Sequence, residues 1–111
     1  MKMSDQPKTN PPGWEKLPER LRRRLSALAT EYRREGVDLF LFGSFARGDN
    51  RANSDLDLGV EWRGTPSRKI FRRLSSDIEN LPSIRKIDLV DMSEAGESLR
   101  RAAHRERKPL V

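Results

Sequence analysis

Cysteine is absent from this chain, which removes disulfides and thiolate–metal sites together. The same absence agrees with a reducing compartment, so a cytoplasmic location is expected. Histidine is nearly absent too. His104 alone cannot assemble a histidine-based zinc centre, and it gives poor material for a Ser-His-Asp triad. It follows two alanines near a helix end, where it reads most simply as a partner of the helix dipole. No apolar run approaches the roughly 20 residues of a membrane span, and the first residues lack the apolar stretch of a secretory leader. No membrane association is expected. Hydrophobic residues make up 34% of the chain and charged residues 36%, so a thin core under a heavily ionised surface is expected. With 111 residues there is room for one core only. A domain of this size buries roughly two-thirds of the surface its unfolded chain exposes.

What the chain does have is positive charge. The formal net charge is +6, and arginine far outnumbers lysine. The planar guanidinium suits phosphate and carboxylate recognition. Nucleic acid, nucleotide phosphates and an acidic protein partner all remain open on charge alone. No row of aromatics that could stack bases is evident, which weighs against RNA.

Residues 1–13 are polar, proline-bearing and aperiodic, and read as a flexible tail ahead of one domain over 14–111. From Pro18 the pattern turns helical. Leu17, Leu21, Leu25, Leu28 and Tyr32 form one apolar stripe, and Gly36 suits the position just past the helix end, so a helix is expected over about 18–35. Val37 to Phe42 is short and nearly all apolar, as in a strand buried on both faces. A brief helical turn and a loop should follow over 45–54. Asp55 to Trp62 alternates strictly: Leu56, Leu58, Val60 and Trp62 on one face, Asp55, Asp57, Gly59 and Glu61 on the other. Thr65-Pro66 suggests a capped helix start, continued by Ile70, Phe71, Leu74, Ile78 and Leu81. The basic row Arg68, Lys69, Arg72 and Arg73 is most simply a solvated helix face. Ile84 to Val90 reads as a third strand. Asp91 and Glu94 have capping-box spacing for a last helix through Ala103. His104 to Val111 is basic and hard to assign. The fold class expected is α/β (α+β): a small mixed sheet of about three strands flanked by helices.

Three features carry chemistry. Asp55 and Asp57, one residue apart on a strand, point the same way with Cα atoms about 6.5–7 Å apart. They repel unless something positive lies between them, and magnesium, which takes oxygen ligands, suits that gap. Taken alone, the pair reads more readily as two solvent-facing strand aspartates than as a metal site. Gly43-Ser44 closes a buried strand and opens a short turn, where backbone N–H groups can meet an anion and the serine hydroxyl can donate to it. Arg47 could neutralise a further phosphate oxygen. Asp88 lies inside a β-branched run, where a carboxylate needs a partner or a cation. If its strand lies beside that of Asp57, it reaches the same metal and can draw a proton from an attacking hydroxyl.

Gly-Ser, ten residues, Asp-x-Asp and a later strand aspartate together resemble the nucleotidyltransferase superfamily that includes DNA polymerase β. More narrowly, GSFARGDNRANSDLDLGV followed by KIDLVDM resembles the minimal nucleotidyltransferases of prokaryotic toxin–antitoxin pairs, whose partners carry a HEPN domain. The resemblance runs over about residues 15–103 in element order. It implies Gly43 and Ser44 as the phosphate-gripping pair, with Asp55, Asp57 and Asp88 as metal-binding and catalytic carboxylates. It further implies ATP as substrate, two magnesium ions, and transfer of AMP to a tyrosine of a partner toxin. The basic segment His104 to Val111 departs from the more hydrophobic ending common in the family. Larger members of the family carry a second helical domain that holds the base and the acceptor, and none is expected within these 111 residues. Two rival expectations stand beside this one: a non-enzymatic antitoxin that neutralises its partner by contact, and an RNA-directed transferase.

Overall fold

A computed structural model describes residues 13–110. The flexible tail expected over 1–13 lies outside the described residues except for Gly13. That glycine belongs to the folded body: it is buried, and its N–H donates to the Phe45 carbonyl at 2.8 Å.

The elements in chain order are α1 (Glu19–Arg33), β1 (Val37–Phe42), α2 (Ser44–Arg47), β2 (Leu56–Trp62), α3 (Arg68–Glu79), β3 (Ile87–Asp91), α4 (Glu97–Glu106) and β4 (Lys108–Pro109). The four strands form one mixed sheet in the order β3-β2-β1-β4. β1 runs antiparallel to both β2 and β4, while β2 and β3 are parallel. The fourth strand corrects the expectation of about three. A two-residue strand containing Pro109 carries no periodic signal, and only its pairing with Phe40 and Leu41 defines it.

Period-two alternation divides the sheet into two faces. Leu39, Leu41, Leu56, Leu58 and Val60 join Leu21, Leu25, Ala29 and Tyr32 of α1 and Leu74 and Ile78 of α3 in the main core. Each fully buried leucine contributes roughly 2 kcal/mol of transfer free energy. The opposite face is only partly covered. There Phe40, Phe42 and Met92 pack with Ala103 of α4 in a second, smaller cluster. Gly59 is required on this face, because a Cβ would come within 2.3 Å of the Phe40 ring.

Several boundaries differ from the sequence expectation. β3 begins at Ile87 rather than Ile84. Ile84 is fully exposed at the tip of a turn, whose Ser83 hydroxyl accepts from the Arg85 N–H at 3.2 Å. Ser67, not Thr65, caps α3: its hydroxyl accepts from the Ile70 N–H at 3.2 Å. Asp91 is the last residue of β3 and caps no helix. Its Oδ1 accepts from the Ser93 N–H at 2.9 Å and from Trp62 Nε1 at 2.9 Å, while α4 starts after Gly96. The Trp62–Asp91 bond ties the far ends of β2 and β3 together.

Candidate active site

The parallel pairing of β2 with β3 places Asp57 directly opposite Asp88. Strands in a sheet lie about 4.8 Å apart, and residues in register present their side chains to the same face. Asp57 and Asp88 therefore stand side by side on the sparsely covered face. Asp55 lies one residue ahead of β2 and is exposed, yet it is close enough to act on Asp57. All three acids singled out in the sequence are brought to one end of the sheet.

Gly43 joins them through β1. Phe42 pairs with Asp57, and Gly43 follows at once with φ 80° and ψ −157°. That region is essentially restricted to glycine. A Cβ on Gly43 would lie 2.3 Å from Asp57 Oδ2, so the carboxylate rests against the turn itself. Ser44 is partly exposed, and its hydroxyl makes no hydrogen bond among the described residues. Arg47, at the end of α2, donates through Nε to Asp49 at 3.1 Å and through Nη1 to Glu106 Oε2 at 2.8 Å. The other Glu106 oxygen accepts from the Gly43 N–H at 3.0 Å. Sequence reasoning missed Glu106 in the unassigned basic segment. The signal available was a local conflict: a carboxylate in the last turn of a helix opposes the dipole.

Asp57 bears the electrostatic consequence. Burial, reinforced by Asp88 and Asp55, pushes its carboxyl up to about 6, against the pull of Arg47. Lys86 reaches Asp88 at 3.5 Å from an exposed position, where an ion pair contributes little. The acids are thus short of positive charge. Among the described residues no group of three or more histidine, aspartate or glutamate side chains is arranged to hold a metal ion by itself. Magnesium does not need one, since it usually takes one or two carboxylates and completes its shell with water and substrate phosphates. The hard oxygen donors and the raised Asp57 carboxyl fit such an ion.

The family model described as polymerase beta, nucleotidyltransferase matches residues 29–111, which include the turn, all three aspartates and Glu106. The chain belongs to the polymerase β nucleotidyltransferase family. A curated relative of this nucleotidyltransferase, from Methanocaldococcus jannaschii, is named "Putative protein adenylyltransferase". It is 35% identical over 74 residues, covering 67% of this chain and 83% of the relative. A solved minimal nucleotidyltransferase, itself so named with the qualifier "putative", is 33% identical with a TM-score of 0.65. That match covers 80% of this chain and 91% of the other. A toxin–antitoxin structure with AMP-PNP superposes with a TM-score of 0.56 at 23% identity, over 81% of this chain and 72% of the other, a likeness of fold alone. No helix among the described residues is long and apolar enough to cross a membrane.

Magnesium together with a non-hydrolysable ATP analogue should stabilise the nucleotidyltransferase by mass action. At ten times the dissociation constant the gain is about 1.4 kcal/mol, or several degrees of melting temperature for a domain this small. A melting curve that ignores millimolar magnesium and nucleotide would remove the metal from this site.

Proposed function

We propose that this nucleotidyltransferase moves AMP from ATP to a tyrosine hydroxyl of a partner HEPN-domain toxin, and acts as that toxin's antitoxin. One observation carries the reading: Asp57 stands in register with Asp88 while its carboxylate touches the Gly43 turn. Metal-binding acids and an anion-gripping turn at that separation suit transfer of a phosphate-linked group.

In this reading the Gly43 N–H, the Ser44 hydroxyl and Arg47 hold the β and γ phosphates. Asp55, Asp57 and Asp88 hold magnesium, which when bound supplies positive charge to the phosphates and the acids alike. Asp88 accepts the proton of the attacking hydroxyl. The acceptor oxygen forms its bond to the α-phosphorus as the bond to the pyrophosphate oxygen breaks. Positioning and charge neutralisation supply most of the rate, as in phosphoryl transfer generally.

The acceptor must come from another molecule. Tyr32 is the only tyrosine of the chain, it is fully buried, and its hydroxyl donates to Asp77 at 2.7 Å. Burial and Asp77 push its phenol up to about 12, so it stays protonated at neutral pH. A protein acceptor is also supported by a cavity of about 460 Å³ between α4 and the sparsely covered sheet face, whose lining holds Arg100 and Arg105 beside the ion pairs Arg101–Glu97 and Arg107–Glu61 and is net positive. Its cationic wall suits an acidic partner surface, and complementary charge speeds encounter. The curated relative's name and the toxin–antitoxin likeness point the same way.

Intact-mass analysis of the partner after incubation with this chain, ATP and magnesium tests the reading. The partner should gain one or more AMP units, on tyrosine. A partner that is neutralised yet unmodified would mean that neutralisation is by contact alone.

A further inference from the structure

The grip ascribed to the triphosphate already holds an anion. Glu106 places one carboxylate oxygen 3.0 Å from the Gly43 N–H and the other 2.8 Å from Arg47 Nη1. A carboxylate gripped at both oxygens by a backbone amide and a guanidinium makes the contacts expected of a bound phosphate. The Glu106 side chain is only 20% exposed, so it is seated in the site rather than lying over it.

The helix position disfavours a carboxylate there, although Arg105 and Arg107 flank it in sequence. Glu106 is the last residue of α4, where the helix dipole repels negative charge and where His104 and Arg105 of the same turn are the favoured kind of residue. Asp57 is near enough to repel it as well. Its place is kept by Gly43 and Arg47. A group held by two contacts and opposed by the helix dipole and Asp57 can give way to a more highly charged anion.

We propose that Glu106 is a built-in stand-in for the substrate's phosphate, so that nucleotide loads by displacing the Glu106 carboxylate from Gly43 and Arg47. The inference rests on reading Gly43 and Arg47 as the phosphate grip, and it adds the regulation of that site. With Glu106 seated, the grip stays organised and shut to weak anions. The apparent affinity for triphosphate falls by the fraction of molecules in which Glu106 has swung out. A nucleoside monophosphate, which has no β or γ phosphate, does not compete with Glu106 at all.

Titration calorimetry with inorganic triphosphate and magnesium tests this on the full chain. E106Q keeps the shape of the side chain and removes its charge, so it should bind triphosphate about tenfold more tightly than the native protein. AMP should bind both forms equally. E106D, one methylene short of spanning both contacts, should gain about threefold and serves if E106Q does not fold. Equal or weaker triphosphate binding by these variants overturns the inference; weaker binding would mean that Glu106 instead positions Arg47 for the ligand. If triphosphate binds the native protein and the variants alike, the phosphate grip stands and only the stand-in falls. If triphosphate binds none of them, the grip falls and takes the inference with it.

Discussion

Replacing Asp55 and Asp57 together by asparagine is expected to abolish nucleotidyl transfer, a fall on the order of a thousandfold or more, while the fold survives. The loss follows from chemistry. Asparagine keeps the size and a carbonyl oxygen but lacks the negative charge that would hold a divalent cation, and the charge such a cation would bring to the phosphates is the larger part of such catalysis. Survival of the fold follows from electrostatics. Asp57 is raised to about 6 from its ordinary 3.8, burial being the first cause and Asp88 and Asp55 the next. Between about pH 4 and pH 6 the folded chain therefore keeps a proton that the unfolded chain has released. This group's contribution is most favourable below pH 4, declines as the pH rises through that window, and is a net penalty at neutral pH. The penalty is about 1–2 kcal/mol once solvent screening of a half-buried group is allowed for. The variant should accordingly melt at the native temperature or higher at pH 7, and its stability should depend less on pH between 4 and 6. Circular dichroism across that range and a transfer assay at pH 7 check both halves. Transfer at a measurable fraction of the native rate would remove Asp55 and Asp57 from the mechanism, and unfolding would give the pair a structural role instead.

Much of this site is legible in the sequence because its acids sit on periodic elements. The strict alternation from Asp55 to Trp62 fixes which face Asp57 occupies, and the buried strand ending at Phe42 locates the turn at Gly43. The approach of Asp88 to Asp57 needs only that β2 and β3 be neighbours, which the parallel pairing satisfies. The parts that escape are those without a period. β4 is two residues long and contains a proline, and its pairing with β1 spans most of the chain. Glu106 reaches Gly43 across 63 positions from a segment dominated by arginine. Ile84 misleads because an apolar residue beside a strand resembles the strand, although a Ser83 turn leaves it in solvent. At α3 two hydroxyls lie two residues apart, and which of them meets an orphan N–H is decided by backbone geometry that Thr65 and Ser67 do not announce.

Gly43→Ala is expected to damage the site more than a single methyl group suggests, because two independent constraints meet at that position. The first is conformational. At φ 80° and ψ −157° a side chain is strained by about 1–3 kcal/mol, whatever surrounds it. The second is steric and chemical together: the new Cβ would lie 2.3 Å from Asp57 Oδ2 and 3.1 Å from its Cγ. Two adjustments can relieve that contact. Asp57 can rotate away, which takes it from its place beside Asp88, or the turn can shift, which moves the Gly43 N–H and the start of α2 away from the proposed phosphate position. Either one misplaces a group by about an ångström, and a displacement of that size costs on the order of a hundredfold in rate. The melting temperature should fall by several degrees, in line with the backbone strain. Gly64→Ala is the control, since a Cβ there meets nothing within 4 Å and its φ is one that any residue adopts. It should leave both stability and transfer close to native. Gly43→Ala with native stability and a native transfer rate would mean that the turn neither needs glycine nor bears on Asp57. A variant that melts lower yet transfers normally would separate the strain from the chemistry and take Gly43 out of the site.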